Sequence, residues 1–216
     1  MTQTARTHSR LLWQLYEPAP LAQRTLAALR PFICPLLPIL AELPAGARVL
    51  DIGSGNGLFL SAMARIGGIT WGCGTEVSAR ALQTARAVAA MHGLRLEFHE
   101  VAEPAGWPEG PYDAVTMIDV MHHLPHDLRP FFVKAVAQRL RPGGRFVYKD
   151  MDRRPAWRAA WNQLHDMLLA REWVSLEPSA RVRSWAEAVG LVLIHERRCS
   201  ACGLYGHELM VFERRP

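Results

Sequence analysis

An α/β fold built on a doubly wound, mostly parallel seven-stranded sheet is what this chain predicts, and three observations carry it. Beyond Gly46, short apolar segments alternate regularly with segments of helical period. The first of those segments ends in a glycine run, Gly53-Ser54-Gly55-Asn56-Gly57, after which a helical pattern begins at once. Two closing strands are joined by a short glycine-containing loop, the signature of an antiparallel hairpin.

The elements follow in order. Residues 11–16, 21–29 and 32–43 are apolar-periodic and helical, cut by Pro18, Pro20, Pro31 and Pro44. Strand 1 is expected at 47–52, where Val49, Leu50 and Ile52 are apolar, and the next helix at 56–66. Strand 2 spans 69–75, and a helix runs from Ser78, a suitable N-cap, to His92, with Gly93 as its stop. Strand 3 lies at 94–101, strand 4 at 112–118, a helix at 127–140 and strand 5 at 145–150. A longer amphipathic helix covers 155–173, with Trp157, Trp161, Leu164 and Leu168 on one stripe, and a shorter one covers 179–189. The closing strands are 191–198 and 207–213. Two units result: an N-terminal helical lid segment, 1–45, and the alternating α/β domain, 46–216.

Bulk properties narrow the function classes. The 216 residues are 50% hydrophobic and 21% charged, ordinary for a globular domain with a substantial core. No apolar run reaches the roughly 18–20 residues of a membrane span; the best candidate, 31–43, is broken by Pro31, Pro35 and Pro38. The N-terminus lacks a signal-peptide pattern, and the expectation is a cytoplasmic protein. The net charge of +5 invites a nucleic-acid partner, but the basic residues are scattered and almost all arginine, Lys134 and Lys149 being the only lysines. A solvated surface explains them better. Cys34 and Cys73 sit in apolar surroundings and read as core thiols. His195, Cys199, Cys202 and His207 have metal-ligand chemistry, yet a lone Cys-x-x-Cys at a hairpin tip is more often incidental, and no metal is expected.

The glycine run identifies the ligand class. A dinucleotide loop reads G-x-G-x-x-G, with an acid about 20 residues beyond. Here the spacing is G-x-G-x-G, and Asp51 lies inside the strand, two residues before the first glycine. This version resembles motif I of the class I S-adenosylmethionine-dependent methyltransferases. Glu76 stands one strand–helix–strand unit after Asp51, where an ionised carboxylate can accept both ribose hydroxyls. The resemblance extends over residues 45–214 through Tyr112-Asp113-Ala114-Val115, the Asp119-Val120-Met121-His122-His123-Leu124-Pro125 segment and the Leu140-Arg141-Pro142-Gly143-Gly144 turn. It implies a Rossmann-like methyltransferase fold with its last strand antiparallel, and S-adenosylmethionine as cofactor. Asp51, Gly53, Ser54, Gly55, Gly57, Glu76 and Asp119 would form its site. One departure stands out: where the family usually has an acid after strand 3 for the adenine amino group, this chain has Val101-Ala102, flanked by Glu100 and Glu103.

Ligands of open parallel sheets bind at the carboxyl ends of the strands. That rule gathers the glycine run, Glu76, Asp119 to His123 and Lys149 to Asp152 around one crevice. His123 and His122 are the leading candidates for removing an acceptor's proton, since imidazole titrates near neutrality. Asp150, at the end of strand 5, could orient a substrate group. The expected reaction is methyl transfer to oxygen or activated carbon of a small, apolar or aromatic metabolite. A binding module without catalysis is the alternative. An RNA methyltransferase is weaker, because the segment after strand 4 lacks the Asn-Pro-Pro-Tyr type of base-gripping motif and two lysines cannot assemble the set used for ribose methylation.

Overall fold

A computed structural model describes residues 2–34, 36–66, 68–152, 176–201 and 205–215. Three helices come first: α1 (Thr2–Leu15), α2 (Leu21–Ile33) and the single turn α3 (Leu37–Leu40). The α/β alternation then runs β1 (Ala47–Ile52), α4 (Leu58–Ile66), β2 (Ile69–Glu76), α5 (Ala79–Met91), β3 (Leu96–Glu100), β4 (Tyr112–Ile118), α6 (Arg129–Arg139) and β5 (Leu140–Met151). It closes with α7 (Ser179–Ala188), β6 (Leu191–Ala201) and β7 (Tyr205–Arg214).

The strands form one seven-stranded sheet in the order β3-β2-β1-β4-β5-β7-β6. Every neighbouring pair from β3 to β5 is parallel, and β7 runs antiparallel to both β5 and β6. The order reverses between β1 and β4, which opens a crevice above their carboxyl ends. Both faces are covered, so the central strands are apolar in continuous runs rather than in alternation. Alternation survives as a choice of face. Val147 of β5 packs with Leu209 and Val211 of β7 against α1, α2 and α4, whereas Phe146 and Tyr148 pack with Met210 and Phe212 against α6 and α7.

Several boundaries depart from the sequence expectation. Pro31 does not end its helix: α2 continues to Ile33, and Pro31 is buried. So near the helix end its missing N–H removes only one bond, and Cys34 N closes the last turn on Arg30 O at 2.7 Å. β5 begins at Leu140, because Leu140 pairs with Tyr112 and the Pro142-Gly143-Gly144 turn becomes a register shift within the strand. β3 starts two residues late and α4 begins at Leu58, while β6 and β7 extend beyond their expected ends. Ser78 caps α5 as expected, its Oγ accepting from Ala81 N at 3.3 Å. The helix anticipated at 155–173 lies outside the described residues. Among those described, no helix is long and apolar enough to cross a membrane.

Candidate active site

The glycine run leaves β1 at the switch point and turns sharply into α4. Ser54 N donates to Thr75 O and Gly57 N to Ser54 O, both at 2.9 Å, which ties the loop to the end of β2. Gly53 has φ +68°, and a Cβ there would meet Val120 Cγ2 at 2.5 Å. Gly55 has φ +55° with only open space where a side chain would project. Its N–H donates to Glu76 Oε2 at 2.9 Å, while Glu76 Oε1 accepts from Val77 N at 2.8 Å and Ser78 N at 3.0 Å. Three amides thus fix this carboxylate at the tip of β2, beside the N-terminus of α5.

A cavity of about 290 Å³ opens over the loop, near the lower end of the range for small-molecule sites. Its walls include the loop from Gly53 to Asn56, Asp51, Asp119, Phe59 and, from α2, Leu26 and Arg30. Asp51 is buried, and Thr116 Oγ1, opposite it on β4, donates to its Oδ1 at 2.6 Å. Burial, only partly offset by that bond and aggravated by Glu76, pushes the Asp51 carboxyl up to about 7.

Asp119 follows β4 with φ +56°, a left-handed conformation that few residues other than glycine tolerate and aspartate does. Its N–H donates to Lys149 O at 2.8 Å, and its carboxylate takes Lys149 Nζ at 2.6 Å and Arg30 Nη2 at 2.7 Å. Lys149 is 1% exposed. Burial opposes ionisation of Asp119, but Lys149 and then Arg30 outweigh it and hold the carboxyl well below its ordinary range. Lys149 is raised in turn, burial being outweighed by Asp119.

His122 belongs to a second cluster. It is buried in the short 3-10 turn Met121–His123, and its Nδ1 lies 2.5 Å from Asp150 Oδ1. A carboxylate only accepts, so Nδ1 carries the hydrogen and the basic lone pair of the neutral ring falls on Nε2. Met151 N donates to Asp150 Oδ1 at 2.7 Å and the Tyr148 hydroxyl to Oδ2 at 3.3 Å. His123 is exposed, its ring 4.1 Å from that of His122.

The single crevice expected at the strand ends is therefore two adjoining sites. Strand alternation sends Lys149 to the cavity side with Asp119, and Asp150 to the opposite face of β5 with His122 and Tyr148. Gly57 starts α4 and packs toward Ala85 and Phe98. Glu100 and Glu103 are exposed, and Val101 N donates to Glu76 O at 3.0 Å, so no buried acid stands after β3.

For three contributors sequence reasoning supplied no partner. Arg30 reaches Asp119 from α2, Lys149 anchors it from β5, and the Tyr16 hydroxyl donates to Asn56 O in the glycine loop at 2.8 Å. Lys149 had a readable signal, since a lysine inside a strand covered on both faces requires a buried partner. Arg30, the one cation in 26–33, had a weaker one.

The two histidines of the histidine–cysteine set have other partners. His195 Nε2 lies 3.0 Å from Glu42 Oε1, His207 Nε2 donates to Ile33 O at 2.6 Å, and Cys202 falls outside the described residues. Among the described residues no group of three such side chains could hold a metal.

A family profile described as "Methyltransferase domain" matches residues 23–196, most of the chain. The chain belongs to this methyltransferase family. Curated relatives include the ubiquinone biosynthesis O-methyltransferase of Sodalis glossinidius, 35% identical over 115 residues, 52% of this chain and 45% of that protein. The protein of that name from Xanthomonas axonopodis pv. citri is 32% identical over 115 residues, covering 52% and 46%. The methyltransferase chain spans about half the length of the curated relatives it matches. Solved structures share the fold: an O-methyltransferase family protein from Burkholderia thailandensis has a TM-score of 0.70 at 22% identity, covering 88% of this chain and 57% of its own. YcgJ from Bacillus subtilis has a TM-score of 0.66 at 17% identity, covering 84% and 98%.

Proposed function

We propose that this methyltransferase transfers a methyl group from S-adenosylmethionine to a hydroxyl oxygen of a small apolar or aromatic metabolite. The observation that carries this reading is the open glycine loop braced on Glu76 beside a cavity bearing Asp51 and Asp119. Such a cavity fits the cofactor: backbone can approach it at Gly55, and its acids suit a ligand with an ammonium and a sulfonium. Glu76 would hold the ribose. Its carboxylate has about four lone-pair positions, three of them taken by amides, so the sugar uses the fourth or displaces the Gly55 N–H. Asp119 would take the ammonium, exchanging it for Arg30, and Asp51, Gly53, Ser54 and Gly57 complete the cradle. When bound, the cofactor supplies an electrophilic methyl group.

The rest falls to the chain's own residues. His122 accepts the acceptor's hydroxyl proton on Nε2, and Asp150 fixes the ring through Nδ1. His123, exposed at the rim, serves acceptor entry rather than proton transfer. Residues 1–45 act as a lid that excludes water, held down by Tyr16. Leu26, Leu58, Phe59 and Ile118 give the cavity an apolar wall suited to an aromatic acceptor, and the names of the curated relatives favour oxygen as the atom methylated.

Calorimetry with S-adenosylmethionine and NAD, followed by transfer of labelled methyl into phenolic metabolites or bulk RNA, tests the proposal. Binding of S-adenosylmethionine, weakened roughly 10–100-fold by Glu76→Ala through loss of charged hydrogen bonds, is the expected result. Binding of NAD alone would overturn the reading. Binding with no transfer to any pool would leave only the cofactor-binding module.

A further inference from the structure

The His122–Asp150 pair has an acidic neighbour that the proposed chemistry does not use. In the β5–β7 ladder Asp150 lies directly opposite Glu208. Side chains so placed have Cβ atoms about 4.5–5.5 Å apart, and like charges there repel. Both residues are buried, Asp150 at 5% and Glu208 at 6% exposure, so water does little to screen them. The other groups around Glu208 do not relieve the conflict. Glu196 of β6 shares a hydrogen bond with it, Ser179 at the start of α7 supplies another, and Asp152 adds a further negative charge nearby. Of the cations nearby, Arg198, opposite Glu208 on β6, pairs through Nε with Asp152 Oδ2 at 3.3 Å, and the buried Arg129, which also acts on Tyr148, pairs with Glu177. One oxygen of Glu208, Oε1, is buried without a hydrogen-bond partner. Tyr148 donates to the far oxygen of Asp150, so its hydroxyl is already engaged.

Two buried carboxyl groups facing each other across a ladder do not both ionise cheaply, and their environments divide the proton between them. Asp150 has three donors: Met151 N, the Tyr148 hydroxyl and His122 Nδ1. Both of its oxygens are therefore taken as acceptors, which leaves Glu208, with Oε1 unpartnered, as the member of the pair that holds a proton. We infer that Glu208 is a positioning residue for the proposed base: by holding a proton it keeps the Asp150–Glu208 pair at a single negative charge with Asp150 aimed at His122, and its ionisation strengthens His122 as a base. This rests on the methyl-transfer reading for its role in turnover, though not for the electrostatic coupling itself. Burial, with Glu196 next, pushes the Glu208 carboxyl up to about 7, which places the change within the working range. His207 beside it titrates well below that range and does not confuse the effect.

The test compares wild type with Glu208→Gln, which keeps shape and hydrogen bonding but cannot ionise. Imidazole signals of isotope-labelled His122, assigned with His122→Gln, are titrated in the protein without ligand, and the pH dependence of kcat is measured separately. In wild type, His122 should titrate in two coupled steps. Glu208→Gln should give one step, and its kcat profile should lose the limb near neutrality while KM for the methyl donor stays within a few-fold. A wild-type titration with a single step overturns the inference without recourse to any variant, as does a Glu208→Gln profile superimposable on wild type. Two-step titration in a protein that transfers no methyl would sink the methyl-transfer reading and leave the coupling standing.

Discussion

Asp51 joins the local chemistry of the site to its expected solution behaviour. A carboxyl held near pH 7 is partly protonated at neutrality, and a cationic ligand in the adjoining cavity favours its ionised form. Binding of S-adenosylmethionine should then release protons between pH 6 and 8, and affinity should rise with pH across that interval. Calorimetry in buffers of different ionisation enthalpy measures the release directly, and Asp51→Asn should abolish it. Asp119 supports a second expectation. Replacing it with asparagine strands the buried Lys149 charge, a loss of about 3–5 kcal/mol read as a lower unfolding temperature. Adding Lys149→Met should restore much of that loss, because the uncompensated cation is then gone. At this scale the placement of the glycine run, Asp51 and Glu76 about one loop was legible because short-range spacing sets it. Arg30 was not, since its partner lies 89 positions away and only the packing of α2 brings them together.

The N-terminal helices are the element whose role depends most on a few contacts. Tyr16 is wholly buried, and its hydroxyl holds the carbonyl of Asn56; Gln23 accepts from Thr84 Oγ1 at 2.8 Å, and His92 Nε2 lies 2.9 Å from Leu15 O. A phenylalanine at position 16 keeps the packing and loses one neutral hydrogen bond, worth roughly 0.5–1.5 kcal/mol. Steady-state kinetics should therefore show KM for the methyl donor rising about 2–10-fold with kcat nearly unchanged. A fall in kcat alone would place Tyr16 outside cofactor binding. Helices and strands were readable from periodicity and punctuation, down to the Ser78 cap and the Gly93 stop. Pro31 misled because a proline in the last turn of a helix costs little, which the sequence does not reveal. The face each strand-end residue takes was equally hidden: a shift of one position separates Lys149 from Asp150, and pairing register alone assigns them.

For the whole molecule, displaced carboxyl groups set how stability responds to pH. Asp51 and Glu208 keep their protons to about pH 7 when folded, whereas unfolded they release them near 4. The folded state therefore binds more protons between those limits, and stability falls as pH rises through them. His207 acts oppositely: burial, helped by Lys149, lowers it to about 3, so it contributes stability lost as pH falls below its ordinary value near 6.5. Burial also lowers the half-buried His8, but the two large carboxyl shifts prevail, and the urea midpoint should decline from pH 5 to pH 8. Asp51→Asn combined with Glu208→Gln should flatten that decline.

The arrangement of the sheet followed from the alternation of elements and the family resemblance together, and the closing hairpin sets an order of events in synthesis. Among the described residues β6 pairs only with β7, and β7 joins it to β5. A nascent chain that has emerged only as far as residue 204 thus carries β6 without its strand partner, while β5 offers an unpaired edge flanked by Phe146 and Tyr148. Until the final strand clears the ribosome, that edge is open to other chains, and a factor that shields it during those seconds would decide the yield of folded protein.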